Sequence, residues 1–241
     1  MYSYEKKVLF SDIDSTNRMS VDGILDAMQD CVNINSESIG RGISYMHKTK
    51  RAWFAIGWNI VIDRLPEMFE DITVKTWPYG FTATMGYRNV IISDKNGNDI
   101  VCADSVWTLM DMNTGMPTRI EAEDSCGYDL EERYPMEAMN RKIRLPKDFV
   151  REEAVRVRKS DIDFNGHMTN GRYIQLANDY VPNDRIIKRI RVEYKSQSRL
   201  GEMLGIYTAM VKDEKNQGEK LIVRLTDEAG SSTKAVVEYT F

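Results

Sequence analysis

Asp163, Asn165 and His167 stand at alternate positions in the stretch Asp163-Phe164-Asn165-Gly166-His167. In extended backbone that spacing places a carboxylate, an amide and an imidazole on one face. An apolar run of helical period follows, so the three groups should lie beside a helix N-terminus. There, N–H groups without intrahelical partners and the positive end of the dipole favour a developing negative oxygen. The set suits acyl transfer, with a base or nucleophile, a proton carrier, a positioning amide and an oxyanion-binding helix end. It equally suits a structural task, with Asp163 and Asn165 closing an Asx turn and capping the helix. Spacing alone leaves both open. His47 is the one other histidine of the chain.

The elements that must position these residues appear twice. Residues 11–32 read SDIDSTNRMSVDGILDAMQDCV and residues 160–181 read SDIDFNGHMTNGRYIQLANDYV, aligned without a gap at an offset of 149. In each copy apolar residues recur with the period of an amphipathic helix: Ile24, Leu25, Met28 and Cys31 in the first, Tyr173, Ile174, Ala177 and Tyr180 in the second. Ser20 and Thr169 occupy the place of an N-cap hydroxyl, and Pro182 should end the second helix. Strands are expected after the first helix at 54–62, 72–77, 84–93 and 100–110, with an Asn-Gly turn in 95–98. After the second they are expected at 189–194, 205–211, 221–226 and 234–241, with turns at 213–218 and 227–230. One long helix followed by antiparallel strands, twice over, is an α+β plan in which each sheet wraps its helix. The resulting division is 1–135, a connecting segment 136–150, and 151–241. Only the second copy carries the Asn and the His; the first has Asp14-Ser15-Thr16-Asn17-Arg18.

Composition bounds the function. The chain has 241 residues, 42% apolar and 29% charged, the usage of an ordinary globular protein. Three cysteines without CxxC spacing suit a reducing compartment and give no metal knuckle. The uncharged stretch 52–62 is too short to span a bilayer. MYSYEKKVLF at the start has no apolar leader core, so a cytoplasmic location is the expectation. A net charge of −4 argues against nucleic acid as a dedicated partner. Residues 1–140 nevertheless carry −9 and residues 141–241 carry +5, which points the second half toward an acidic partner.

The run from Asp163 through Asn165, His167 and Asn170 to Tyr173 resembles the signature of the acyl-acyl carrier protein thioesterases, enzymes of double hot-dog fold. Ile62-Asp63-Arg64-Leu65-Pro66, Val74-Lys75-Thr76-Trp77, Gly86-Tyr87-Arg88 and Ala103-Asp104-Ser105-Val106-Trp107 resemble further segments of that family, in order. The likeness implies a tandem double hot-dog and hydrolysis of fatty acyl-carrier thioesters to free fatty acid. It implies no cofactor and no metal. Asp163, Asn165 and His167 fall on the family's catalytic residues. Gln197 falls on its glutamate and Ser198 on a neighbouring cysteine. An amide cannot serve as a general base there, though it can orient a water; a shifted register would bring Glu193 or Glu202 instead. Backbone N–H groups around Met168, Thr169 and Asn170 would hold the oxyanion and contact substrate. The first half, with Met28, Trp53 and Trp77, would line the acyl chain. The expected partner is an acyl carrier protein bearing a phosphopantetheine-linked chain, docked on Arg141, Lys142, Arg144, Arg185, Lys188 and Arg189. Arg156, Arg158 and Lys159 belong to the same basic bias. Neither nucleic acid nor membrane is expected as a partner, and a homodimer is left open. A coenzyme A thioesterase of the same superfamily, or a non-catalytic acyl-thioester binder, remains the alternative.

Overall fold

The computed structural model describes residues 1–138, 142–163, 165–212 and 218–241, and the chain divides into two compact units, Met1–Met139 and Asn140–Phe241. The first unit runs β1 (Tyr2–Lys7), α1 (Val21–Ser38), α2 (Ile43–Thr49), β2 (Arg51–Ile62), β3 (Asp71–Phe81), β4 (Met85–Asp94), β5 (Asp99–Asp111), β6 (Met116–Pro117) and α3 (Ala122–Ser125). Its strands pair antiparallel in the order β1-β3-β4-β5-β2. Ser20 starts α1 as the sequence suggests, its Oγ accepting from the Gly23 N–H at 3.0 Å. The stripe Ile24, Leu25, Met28, Cys31 and Val32 is buried against the sheet. Each such side chain removed from water contributes about 1.5–3 kcal/mol. The β4–β5 turn closes where Asn96-Gly97 predicted it. Gly97 has φ +84° and Asp94 Oδ1 accepts the N–H groups of Asn96 and Asn98. The Asn98 side chain and those N–H groups hold the Asp94 carboxyl down at about 2.

The second unit runs β7 (Val150–Arg151), β8 (Val155–Arg156), α4 (Asn170–Asn178), β9 (Arg189–Tyr194), β10 (Met203–Lys212), β11 (Glu219–Asp227) and β12 (Thr233–Thr240). Its order β7-β10-β11-β12-β9 repeats that of the first unit, with β8 also on β10. The turn expected at 213–218 lies largely outside the described residues. α4 has nine residues against eighteen in α1 and stops at Asn178, before Pro182. Tyr180 and Val181 instead bond back three residues, to Ala177 and Asn178. This tighter winding suits a segment approaching proline, which disfavours α geometry in the residue before it.

The described residues of the expected connection, 136–150, and those just before it are packed. In the first unit Trp77 Nε1 donates to the Glu132 carbonyl, Tyr134 N–H to Asn89 Oδ1 and Asn59 Nδ2 to the Glu137 carbonyl. In the second unit Ile143 is buried against Ile222 and Val236, beside Phe149 and Val211. Each sheet therefore has its helix on one face and part of this segment on the other.

Candidate active site

The three polar residues are gathered by a tight turn and not by an extended strand. Asp163 N–H donates to the His167 carbonyl at 2.8 Å, Gly166 N–H returns to the Asp163 carbonyl at 3.0 Å, and Ile162 bridges Met168. Asp163 Oδ1 accepts the N–H groups of Asn165 at 2.8 Å and His167 at 3.2 Å. This is the Asx turn allowed by the sequence, and it ties up one carboxylate oxygen. Among the described residues Oδ2 meets only the Asn165 amide, at 3.4 Å. Gly166 takes φ +78°, a left-handed conformation open to glycine and tolerated by Asn. The first unit builds the same turn: Asp14 N–H donates to the Arg18 carbonyl, Asp14 Oδ1 accepts the Thr16 N–H, and Asn17 takes φ +61°. Arg18 there is exposed, 3.9 Å from Glu67. The signal missed in the sequence was this pair, an Asp followed three residues later by Gly or Asn.

The other aspartate of each SDID motif also does structural work. Asp161, 4% exposed, accepts the Arg158 N–H through Oδ2 at 2.7 Å and lies 3.0 Å from Arg172 Nε. Asp12 accepts the Leu9 N–H in the same way.

His167 Nδ1 is buried and has no hydrogen-bond partner among the described residues. A buried ring nitrogen without a partner is costly unless a ligand or water completes it. The loop after β9 runs alongside, with Met168 N–H donating to the Ser198 carbonyl at 2.9 Å. Ser198 is buried and its hydroxyl accepts from Tyr173 at 2.9 Å. Tyr173 packs edge-on against Tyr194, whose hydroxyl donates to the Asn170 carbonyl. Burial pushes both phenols up, so they remain protonated donors. Gln197 lies on this loop, exposed, and its amide has no partner among the described residues. Its carbonyl accepts from Lys234, which also pairs with Glu202 at 3.1 Å. Glu193 is committed elsewhere, accepting the Ile143 N–H and pairing with Lys195 on the sheet face away from α4. It does not enter the site.

Three further expectations change. The oxyanion was assigned to N–H groups around Met168–Asn170, but those of Met168 and Thr169 are spent on Ser198 and Asp161 carbonyls. The first-turn N–H groups of Asn170 and Gly171 remain, which have no intrahelical acceptor. Thr169 is the N-cap residue, yet its hydroxyl makes no cap bond; Arg172 N–H goes to the Thr169 carbonyl instead. Met28 and Trp77 do not share a face. Thr76 points toward α1, since Arg88 binds both Thr76 and Asn35 of that helix, so alternation turns Trp77 to the other side. Trp53 is half-buried against Phe81.

Among the predicted docking cations, Arg141 lies outside the described residues. Lys142, Arg144 and Lys188 are exposed. Arg185 is paired with Glu219 and stacks on Phe241. Arg185, Lys188 and Arg189 cluster at the start of β9, while the turn adjoins Ser198 beyond its end. At about 3.3 Å per residue that is about 20 Å away. The exposed cations next to the turn in sequence are Arg156, Arg158 and Lys159, with Arg199 on the neighbouring loop. Among the described residues no group of His, Cys, Asp and Glu is placed to hold a metal ion.

Two family models match, the acyl-ACP thioesterase N-terminal domain over residues 1–128 and its C-terminal domain over residues 146–240. A chloroplastic palmitoyl-acyl carrier protein thioesterase of Cuphea hookeriana is 22% identical over 95% of this chain. The chain spans 59% of that relative's length. In fold, the chain matches the crystal structure of an acyl-ACP thioesterase from Bacteroides thetaiotaomicron with a TM-score of 0.87 at 24% identity, covering 99% of this chain and 96% of that one. The 12:0-ACP thioesterase from Umbellularia californica gives the same TM-score at 17% identity, covering 99% and 92%.

Proposed function

The chain belongs to the acyl-ACP thioesterase family, and on that premise we propose that it hydrolyses fatty acyl-acyl carrier protein thioesters to free fatty acid and holo carrier protein. The observation that carries the proposal is the turn before α4. There one oxygen of Asp163 is left to a long amide contact, beside a buried His167 nitrogen that has no partner among the described residues. Asp163 Oδ2 acts as general base on a water, or attacks the thioester carbonyl to give a transient acyl anhydride that water then opens. Asn165 holds that oxygen in place. The N–H groups of Asn170 and Gly171 receive the oxyanion. His167 protonates the departing thiolate or holds the carbonyl through its open nitrogen. The Gln197 loop, with Glu202 tethered to it through Lys234, supplies the polar wall opposite. The carrier protein docks on the cations flanking the turn, and the reaction takes place in the cytoplasm.

The test is hydrolysis of an acyl-carrier thioester by Asp163→Asn. Asn preserves the Asx turn, because its carbonyl oxygen accepts the same N–H groups, so loss of activity reports chemistry and not folding. The expected fall is about 10²–10⁴-fold. Undiminished turnover sinks the assignment. Comparing one acyl group on carrier protein and on coenzyme A decides the carrier, and equal turnover would favour the coenzyme A alternative. No turnover of either by the native chain would leave a binding protein.

A further inference from the structure

The second unit has a hydroxyl network beside its helix start that the first unit lacks. Met19 N–H donates to the Pro66 carbonyl at 2.8 Å and Met168 N–H to the Ser198 carbonyl at 2.9 Å, and Met168 stands 149 residues after Met19. Pro66 is therefore the counterpart of Ser198. Four residues earlier, Ile62 ends β2 as Tyr194 ends β9. The repeat itself sets Ile24 opposite Tyr173. In the first unit these three places hold Ile24, Ile62 and Pro66, all apolar and buried. In the second unit all three carry a hydroxyl. The Tyr173 hydroxyl donates to Ser198 Oγ at 2.9 Å, the Tyr194 hydroxyl donates to the Asn170 carbonyl at 2.9 Å, and the two rings meet edge-on at 5.9 Å. The first unit closes the same turn against the same loop without these hydroxyls, so the architecture does not require them. Polar groups cost more to bury than the apolar ones that serve in the first unit. The hydroxyls therefore have a task beyond the fold.

We propose that Tyr194 is a positioning residue of the hydrolytic site, one that strengthens the Gly171 N–H as an oxyanion donor; this rests on the hydrolysis proposed above. The Asn170 carbonyl and the Gly171 N–H are the two ends of one peptide group, joined by amide resonance. A hydrogen bond accepted at the oxygen draws electron density from the nitrogen and makes the N–H a stronger donor. Tyr194 supplies that bond from the end of β9, with its ring packed edge-on against Tyr173, which Ser198 ties to the following loop. The phenol touches neither substrate nor reacting atoms and acts only through the peptide. Burial keeps it protonated, so the bond does not depend on pH near neutrality.

The experiment uses the full chain labelled with 15N, with turnover of an acyl-carrier thioester measured alongside. Tyr194→Phe removes the hydroxyl and keeps the ring. It is expected to move the Gly171 amide nitrogen resonance upfield and to leave KM and the shape of the pH–rate profile unchanged. It should lower kcat about two- to eightfold, which is roughly 10–30% of a whole donor's 10²–10³-fold on a logarithmic scale. Tyr173→Phe is the control. It removes a hydroxyl at the same helix start but none bonded to a carbonyl, so the Gly171 resonance should hold. A general loosening of the helix start would move both variants alike and would overturn the proposal. If Tyr194→Phe does not fold, 3-fluorotyrosine in place of Tyr194 decides the matter. It is a more acidic phenol of nearly the same size and should move the Gly171 resonance downfield. An unmoved resonance in either replacement would overturn the proposal, as would an unchanged kcat in Tyr194→Phe. Hydrolysis lost in Asp163→Asn but undiminished in Tyr194→Phe would strike this inference alone, whereas hydrolysis undiminished in Asp163→Asn would strike the assignment beneath it.

Discussion

Asp163 has two tasks and one oxygen for each. Oδ1 closes the turn and Oδ2 faces the amide of Asn165. Gln197, which the family resemblance puts at a glutamate position, is exposed and adds no side-chain bond to that turn among the described residues. Gln197→Ala is therefore expected to change kcat/KM by about twofold at most, the usual scale for an exposed side chain without partners. A larger fall would bring the amide into the chemistry. In the first unit the decisive pair is Arg51 with Asp124, which is 1% exposed and takes Nε at 2.9 Å and Nη2 at 2.6 Å. Burial pushes the Asp124 carboxyl up, but Arg51, the Glu121 N–H and Tyr45 outweigh it and the net direction is down. The bonus therefore exists above the ordinary aspartate value of 3.8 and is lost as pH falls below it. Arg51→Ala should cost about 3–5 kcal/mol in denaturant unfolding at neutral pH, because it leaves a buried carboxylate without its counter-charge. That deficit should shrink as pH falls, because burial favours the neutral form of a carboxyl that has lost its cation.

At the scale of elements, the turn preceding each helix is one device used twice. Asp14→Ala and Asp163→Ala remove equivalent Asx contacts, so each should lower stability by a similar amount, about 0.5–2 kcal/mol on the scale of a lost cap. Only the second should stop hydrolysis. Paired melting and turnover measurements check this, and matched losses of activity would show that the turn's shape, not its chemistry, is what matters. Much at this scale was legible. The gap-free repeat, both helix starts and β9 at 189–194 follow from period and turn residues, because these are local properties of the chain. The alternation of Asp163, Asn165 and His167 suggested an extended face, and Gly166 with its Asn17 counterpart overrides it by adopting positive φ. The approach of Ser198 to Met168 and the burial of Glu193 depend on contacts thirty to fifty residues apart, which no local pattern encodes. The burial of Arg88 was equally hidden, since a polar residue in a strand ordinarily faces water.

At the scale of the whole molecule, charge and duplication set the terms. The second half carries the positive excess, and the exposed cations flanking the site turn are Arg158, Lys159 and Arg199. With carrier-protein substrate, KM should rise with added salt over a range near 0.1 M, where screening reaches about 10 Å. The doubly reversed variant with Arg158→Glu and Lys159→Glu should raise KM at low salt and flatten that dependence, with kcat little changed. A salt-independent KM in the native chain would place docking elsewhere. The paired turns carry a last consequence. A duplicated chain contains its own comparison: on the proposed assignment one half carries the reaction and the other does not. The first half has Asp14, the Asp12 cap and a left-handed Asn17, and holds Thr16 and Arg18 where the other half has Asn165 and His167. What the halves share is the grammar of the fold, and what differs is the vocabulary of the proposed reaction. On the proposed assignment Asn165 and His167 mark the working half, while an aspartate alone at this turn says only that the chain has folded.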